Sequence, residues 1–292
     1  MAAIRGDAVG VTHFSVAGSL PRPHLAIVGA IHGNEHCGLS AITRLSRELA
    51  NETLRLQRGT LSLVHGNPQA TLAARRHTVR GVDLNRVFDY RFVDELAPDL
   101  WGDEHRRAHE LRPLFERVDA VLDLHSTSAP SDAFAISSRV KASEALALDL
   151  DLDFVTFGWD GRDLLGDQVL LSMLTRRALP GVAVECGQHD DPTAPEIAYQ
   201  CALRALAHFG LIAPFSPARA ARRLVVTTAV KRTSASFRFA RPLRGLEPLG
   251  AGTLLGYDDQ LALSVRQACR VIMPNEAAAI GEDLAYLATE QT

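Results

Sequence analysis

The chain has 292 residues, of which 47% are hydrophobic and 22% are charged, and its formal net charge is -3. This composition excludes intrinsic disorder and a polycationic nucleic-acid-binding protein, and the length favours one large domain with a smaller one. No apolar run approaches the roughly 20 residues that a membrane span needs, so we predict no membrane partner. The start MAAIRGDAVGVTHFSVAGSL lacks the long apolar core of an export signal, which favours a cytoplasmic protein.

Predicted strands and helices alternate through residues 1–210. The strand candidates are the runs VTHFSVAG (11–18), HLAIVGAI (24–31), TLSLVHG (60–66), DAVLDLHS (119–126), DAFAIS (132–137) and GVAVEC (181–186). Helical spacing predicts one helix through Leu39 and Leu49, another through Ala108 and Val118, and a third over 191–210 that begins with a Thr193–Glu196 capping box. This alternation predicts an α/β fold, with a mostly parallel mixed sheet flanked by helices.

The composition changes near residue 213. LIAPFSPARAAR is rich in proline and small residues, and the chain after it has short β-branched runs with glycine turns. We therefore predict a catalytic α/β domain over residues 1–212, a linker over 213–222 and a small β domain over 223–292.

The histidines are more informative than the cysteines. Four cysteines are spread along the chain without a CxxC pair, which argues against a disulfide framework and a cysteine-rich zinc site. Neutral imidazole and carboxylate are the ligands of catalytic zinc, and two short runs of the sequence contain both histidine and an acidic residue. We predict that these two runs form a metal site.

The run GAIHGNEH follows a predicted strand and contains His32 and Glu35, three residues apart. A tight turn can direct both side chains at one ion, with Gly33 supplying backbone angles that other residues avoid. The second run, VLDLHST, ends another strand with His125. Three ligands of this kind would leave a fourth zinc position open for water. Asp123 shares a strand face with His125 and could orient its ring.

Two further runs add candidate catalytic and binding residues. GVAVECGQ places Glu185 at the end of a buried strand, where it could serve as general base and acid, with Cys186 on the opposite face. RGVDLNRVF places Asn85 beside Arg86, and the planar guanidinium of arginine suits a substrate carboxylate. The predicted ligand is therefore a small acidic molecule.

Together, GAIHGNEH, NPQA, VDLNRVF, LDLHST and VECGQ resemble the succinylglutamate desuccinylase/aspartoacylase family, a branch of the zinc carboxypeptidase superfamily. The resemblance covers nearly the whole chain, including the tail MPNEAAAIGEDLAYLA, and implies that the C-terminal β domain partly covers the cleft. It also implies one zinc ion per chain. The implied roles are zinc binding by His32, Glu35 and His125, base catalysis by Glu185, and carboxylate binding by Asn85 and Arg86.

The chain also departs from that family. Thr78 stands at the offset of an arginine that polarises the scissile carbonyl in the family, and the nearest substitutes are Arg80, Arg76 and Arg75, in that order. Ala279 and Ile280 replace substrate-contacting tyrosines of aspartoacylases, which speaks against N-acetylaspartate as substrate. Arg176 and Arg177 are candidates for a replacement positive charge, or simply a solvated helix end.

We predict a zinc-dependent hydrolase that cleaves the amide bond of an N-acyl amino acid or a similar small acid. HGNEH also fits the H-x-x-E-H pattern of inverted zinc peptidases, which needs a helix through all five residues. A carboxypeptidase acting on peptides would use the same kind of metal site, and a non-catalytic zinc-binding protein is a third competing hypothesis. The sequence leaves the acyl group, the amine and the oligomeric state open, and a homo-oligomer is one option.

Overall fold

The computed structural model describes residues 2–6, 10–16, 20–159, 166 and 168–291. The strands are β1 (Ala2–Gly6), β2 (Val11–Val16), β3 (His24–Gly29), β4 (Thr60–His65), β5 (Ala120–Thr127), β6 (Phe134–Ser137), β7 (Phe154–Phe157), β8 (Gly181–Gln188), β9 (Arg222–Lys231), β10 (Arg238–Phe239), β11 (Pro248–Leu249), β12 (Leu254–Asp258), β13 (Leu261–Ser264), β14 (Cys269–Ile272) and β15 (Asp283–Glu290). The helices are α1 (His36–Ala50), α2 (Pro68–Leu72), α3 (Tyr90–Glu95), α4 (Asp103–Phe115), α5 (Lys141–Asp149), α6 (Leu170–Arg176) and α7 (Ala194–His208), with 3-10 turns at Leu84–Arg86 and Pro98–Leu100.

Twelve of the described strands form one mixed sheet, in the order β1-β2-β4-β3-β5-β8-β6-β7-β9-β15-β14-β11. Its central pairs β4–β3, β3–β5 and β5–β8 are parallel, whereas the pairs toward both edges, β1–β2 and β11–β14, are antiparallel. Strands β10, β12 and β13 form a small separate sheet near the C-terminus. The predicted α/β class, a mixed sheet with flanking helices and a small additional β unit, is confirmed. The prediction that the sheet is mostly parallel is wrong, because six of the eleven described strand pairs in the large sheet are antiparallel.

Alternate residues of the central strands pack on opposite faces of the sheet. On β3, Leu25 and Ile27 join a core with helices α1, α5 and α7, whereas Ala26 and Val28 join a second core with α4 and α6. All eight residues of β5 are buried, as the apolar run predicted. The sheet is therefore a middle layer between two layers of helices. None of the described helices is both long and apolar enough to span a membrane.

The capping box predicted at the start of α7 is wrong. Thr193 has helical backbone angles, and its hydroxyl donates to Asp191 Oδ1 at 2.7 Å instead of capping the helix. Glu196, the other half of the predicted box, forms an ion pair at 2.8 Å with Arg44 of α1. Contacts outside the helix thus take both side chains that the local pattern assigned to the cap.

The C-terminal strands extend the main sheet. Strand β9 pairs in parallel with β7, and β15 and β14 continue from β9 by antiparallel pairing. This arrangement brings the segment after residue 223 next to the central strands, while the division at residues 213–222 stays a prediction. Residues 17 and 18, at the end of the first predicted strand, lie outside the described residues.

Candidate metal centre and active site

The predicted metal-binding residues lie at the carboxyl edge of the parallel strands. His32 and Glu35 follow the end of β3, and His125 lies near the end of β5. Glu185 on β8 is the direct partner of His125 in the strand register. Because the carboxyl ends of parallel strands meet at one edge, residues far apart in sequence converge there.

His32, Glu35 and His125 form one buried cluster. One ligand atom from each residue lies within 4.8 Å of the others. The two Glu35 oxygens contact different histidines, with Oε1 at 2.7 Å from His32 Nδ1 and Oε2 at 2.8 Å from His125 Nδ1. Two imidazole nitrogens and a carboxylate are a donor set that suits zinc.

The turn that carries this motif has no continuous helix. Helix α1 begins at His36, and residues 31–34 form a turn, so the H-x-x-E-H interpretation is wrong for this chain. His36 is exposed and does not join the cluster. Glycine at position 33 is explained by close packing rather than by unusual backbone angles, because a Cβ there would lie 2.1 Å from the Ala70 carbonyl carbon.

Carboxylates behind the cluster orient both histidine rings. Asp123 Oδ2 lies 2.7 Å from His125 Nε2, as the shared strand face predicted, and Asp83 Oδ1 lies 3.0 Å from His32 Nε2. Each contact engages the far ring nitrogen and leaves Nδ1 directed at Glu35. Such outer contacts fix the ring orientation and the tautomer of metal-binding histidines.

The electrostatics of the cluster suit a cation. Burial would raise the pKa of Glu35, but the charges of His32 and His125 outweigh it and hold that pKa well below its usual range. Burial likewise opposes the charged form of His125, yet Asp123 and Glu35 raise its pKa well above the usual value. The carboxylates concentrated here thus stabilise positive charge, and they would stabilise a bound divalent cation in the same way.

Glu185 is a buried carboxylic acid that faces the cavity. Its Oε2 atom has no hydrogen-bond partner among the described residues. Burial raises the pKa of Glu185 to about 7, with Glu35 adding to the effect and His125 opposing it. A carboxyl group with this pKa can both accept and return a proton near neutral pH. Cys186 packs in the core on the opposite face, as predicted.

Among the three arginines that the sequence offers for polarising the carbonyl, the structure favours Arg76 over Arg80 and Arg75. Arg76 lines the cavity, donates to Asp83 Oδ2 at 2.8 Å through Nη2, and places Nη1 at 3.8 Å from Glu35 Oε1. Arg80 and Arg75 are exposed and are not among the described residues that line the cavity. Thr78 is buried and bonded to Glu104, so it does not replace the missing arginine.

Asn85 and Arg86 line the same cavity. The Leu170 amide donates to Asn85 Oδ1 at 2.9 Å, which uses the side-chain oxygen and leaves the NH2 group as the part that can bind an anion. Arg86 donates to the Asn85 carbonyl at 2.8 Å, and its side chain is 46% exposed. An amide NH2 and a guanidinium side by side can hold a carboxylate.

The C-terminal strands contribute residues that sequence reasoning missed. The cavity has a volume of about 730 Å³, and Lys231 of β9 with Asp283 and Tyr286 of β15 form part of its wall. Asp283 bonds to Lys231 Nζ at 2.9 Å and accepts from the Tyr286 hydroxyl at 2.8 Å. Ile280 is 63% exposed and is not among the described residues that line the cavity, whereas Tyr286 does line it.

Asp83, a further site residue that sequence reasoning missed, had a usable local signal. It lies two positions before Asn85 in VDLNR, much as Asp123 lies two positions before His125. Lys231 and Tyr286 reach the cavity wall because β9 pairs with β7, and no local sequence pattern predicts that pairing.

Comparison with known proteins gives a consistent result. Residues 21–155 match the model of the succinylglutamate desuccinylase/aspartoacylase catalytic domain. The chain is 38% identical over 125 residues to an N-acyl-aromatic-L-amino acid amidohydrolase of Rattus norvegicus, covering 40% of this chain and 37% of that protein. It is 34% identical over 116 residues to an aspartoacylase of Mus musculus, covering 37% of this chain and 36% of the relative.

Among solved structures, a succinylglutamate desuccinylase from Vibrio cholerae is similar with a TM-score of 0.79 and 18% identity. That similarity covers 99% of this chain and 90% of the other, and it concerns the fold. The alignments with the two curated relatives span only a little more than a third of their lengths.

Proposed function

We propose that the chain, whose residues 21–155 match the catalytic-domain model of the succinylglutamate desuccinylase/aspartoacylase family, is a zinc-dependent deacylase, which hydrolyses the amide bond of an N-acyl amino acid or a similar small carboxylate. The observation that carries the proposal is the buried cluster of His32, Glu35 and His125, together with a carboxyl oxygen of Glu185 that has no hydrogen-bond partner within the described part of the chain. The names of the curated relatives, both of which describe enzymes acting on acylated amino acids, support the same reaction class.

We assign metal binding to His32, Glu35 and His125, with Asp83 and Asp123 orienting the two rings. A zinc ion there would supply Lewis acidity toward water and the amide carbonyl. The donor set and the excess of negative charge at the cluster support this assignment.

Glu185 acts in the proposal as general base and then as general acid. It removes a proton from the attacking water and delivers it to the amine that leaves when the amide bond breaks. Its raised pKa of about 7 and its position across from His125 support this role.

Arg76 takes the role that the sequence ranking gave first to Arg80. Its guanidinium reaches the metal cluster, so it can stabilise the negative charge that develops on the amide oxygen. Asn85 and Arg86 hold the carboxylate of the substrate and so position the amide between the cluster and Glu185.

We also propose a cytoplasmic location, because the four cysteines are free and three of them are buried, as is usual for proteins of a reducing compartment. Nucleic acid and membrane are not proposed as partners.

The proposed function is tested by offering the zinc-loaded protein N-acetyl, N-succinyl and N-formyl amino acids beside dipeptides, with released amine as the readout. We expect turnover of one acyl class and little cleavage of dipeptides. Preferential cleavage of dipeptides would favour a carboxypeptidase, and absence of all turnover would favour a non-catalytic zinc protein.

A further inference from the structure

The cavity continues below the row formed by His125 and Glu185. Strand register aligns Asp123 of β5 with Ala183 of β8, and Ala183 with Ile136 of β6. These three residues share a sheet face with His125 and Glu185 but lie about 7 Å farther from the carboxyl edge. All three line the cavity. Because the Ala183 side chain is a single methyl group, it leaves room above it, and the row forms the floor of a compartment.

The walls of this compartment are apolar. Val169 and Leu171, on either side of the first residue of α6, line the cavity and are at least nine-tenths buried. Met273, which follows β14, lines it as well. Among the described residues, these side chains give the compartment an apolar wall, and the Asp123 carboxylate is the polar group of its floor.

Two of the cations that line the cavity, Arg76 and Lys231, are paired with carboxylates of the protein. Arg76 bonds to Asp83, and Lys231 is paired with Asp283. Arg176 lies 3.8 Å from Asp89, and Arg177 donates to the carbonyl of Phe115, so neither described side chain supplies the replacement charge that the sequence suggested. A second substrate carboxylate would therefore find no cationic partner among the described residues on the floor or walls of the compartment.

The compartment lies next to the proposed carboxylate site. The bond from the Leu170 amide to Asn85 Oδ1 joins that site directly to the segment carrying Val169 and Leu171. A substrate carboxylate held by Asn85 and Arg86 thus lies beside the apolar wall. The side chain on the same carbon atom is the part of an amino acid that can enter the compartment.

We infer that the compartment selects N-acyl amino acids with apolar side chains and rejects N-acyl dicarboxylates, an inference that rests on the proposed function. An apolar side chain gains from burial against Ile136, Val169 and Leu171. A second carboxylate would lose its hydration and face Asp123, whose Oδ1 has no partner among the described residues. Both effects favour substrates with apolar side chains over dicarboxylates.

The test compares substrates that share one acyl group. The zinc-loaded wild-type protein is offered N-acetyl derivatives of leucine, phenylalanine, aspartate and lysine, the last acylated on its α-amine. We expect kcat/KM for leucine or phenylalanine to exceed that for aspartate by about a hundredfold. Calorimetric binding of the free amino acids, a readout that needs no turnover, should follow the same order.

A matched pair of variants tests whether the compartment determines the selectivity. Leu171→Arg introduces a cation into the wall and should lower the leucine-to-aspartate ratio at least about tenfold. Leu72→Arg places the same charge on a side chain that is 83% exposed and should leave the ratio unchanged. The wild-type comparison stands even if the Leu171 variant fails to fold.

Three outcomes would overturn the inference. Equal or faster hydrolysis of N-acetylaspartate by the wild type, or a preference for the lysine derivative through Asp123, would contradict the apolar selectivity and leave the deacylase assignment intact. Absence of turnover on every substrate would instead refute the proposed function, and this inference with it.

Discussion

Glu185 is the direct neighbour of His125 across the parallel strands β5 and β8, and its Oε2 atom has no hydrogen-bond partner among the described residues. The register therefore places an acid of raised pKa beside the proposed metal site without making it a ligand. That separation lets metal binding and proton transfer be tested independently.

Glu185→Gln should abolish most of the turnover while zinc remains bound. The amide is similar in size to the carboxyl group but cannot accept the proton, so kcat should fall about 10²- to 10⁴-fold. Steady-state kinetics and zinc analysis of the same preparation measure both effects. Glu196→Gln, at an exposed position outside the cavity, is the control, and near-wild-type turnover by the Glu185 variant would remove this residue from the mechanism.

Arg76→Met and Arg80→Met separate the two candidates for stabilising the amide oxygen. Arg76 lines the cavity, so its replacement should lower kcat about 10²- to 10³-fold. Arg80 is not among the described residues that line the cavity, so its replacement should leave kcat near the wild-type value. Zinc content must be measured for both variants, because Arg76 also contacts Asp83. The reverse pattern of rates would return the role to Arg80.

Glu104→Ala should destabilise the fold. Glu104 is fully buried in α4 and accepts from the Thr78 amide at 2.8 Å, the Thr78 hydroxyl at 3.1 Å and Asn67 Nδ2 at 3.2 Å. Each buried donor left without an acceptor costs about 1–3 kcal/mol, so the free energy of unfolding should fall by about 3 kcal/mol or more. Urea denaturation measures the change.

The exposed Glu52→Ala is the control for Glu104, with a change expected within about 0.5 kcal/mol. If both variants unfold at the same urea concentration as the wild type, Glu104 does not hold the loop that carries Thr78.

His24 should make the protein less stable in mild acid. Burial, with the nearby charges of His13, Arg117 and Arg22, lowers the pKa of His24 from 6.5 to about 4. Between these values the unfolded chain binds a proton that the folded chain does not, so the free energy of unfolding falls as the pH drops from about 6.5 to 4. His24→Gln should flatten this part of the stability profile.

Urea denaturation at several pH values provides that profile, and the exposed His36→Gln serves as its control. An unchanged acid slope in the His24 variant would mean that other groups cause the loss of stability.

Local patterns in the sequence identified the residues that lie on single strands or turns. His32 and Glu35 lie on one turn, and Asp123 and His125 share one strand face. Their spacing in the sequence was therefore enough to predict that the side chains of each pair lie close together. The choice of Arg76 over Arg80 depends on how Glu104, far along the chain, anchors Thr78, and no local pattern contains that contact.

The same distinction explains the wall of the cavity. Tyr286 reaches it because β9 joins the main sheet through β7 and brings β15 alongside. Sequence composition indicated a C-terminal β unit but carried no information about which strand it would pair with. The capping box at Thr193 failed partly for a related reason, since Glu196 pairs with Arg44 where α7 packs against α1. Thr193 instead bonds to Asp191, two residues before it.

The most direct test of the central claim is the zinc content of the purified protein and of two histidine variants, measured by mass spectrometry. The wild type and His36→Ala should each carry about one zinc ion per chain, whereas His125→Ala should carry almost none. Full zinc content in His125→Ala, or its loss in His36→Ala, would contradict a metal site built from His32, Glu35 and His125.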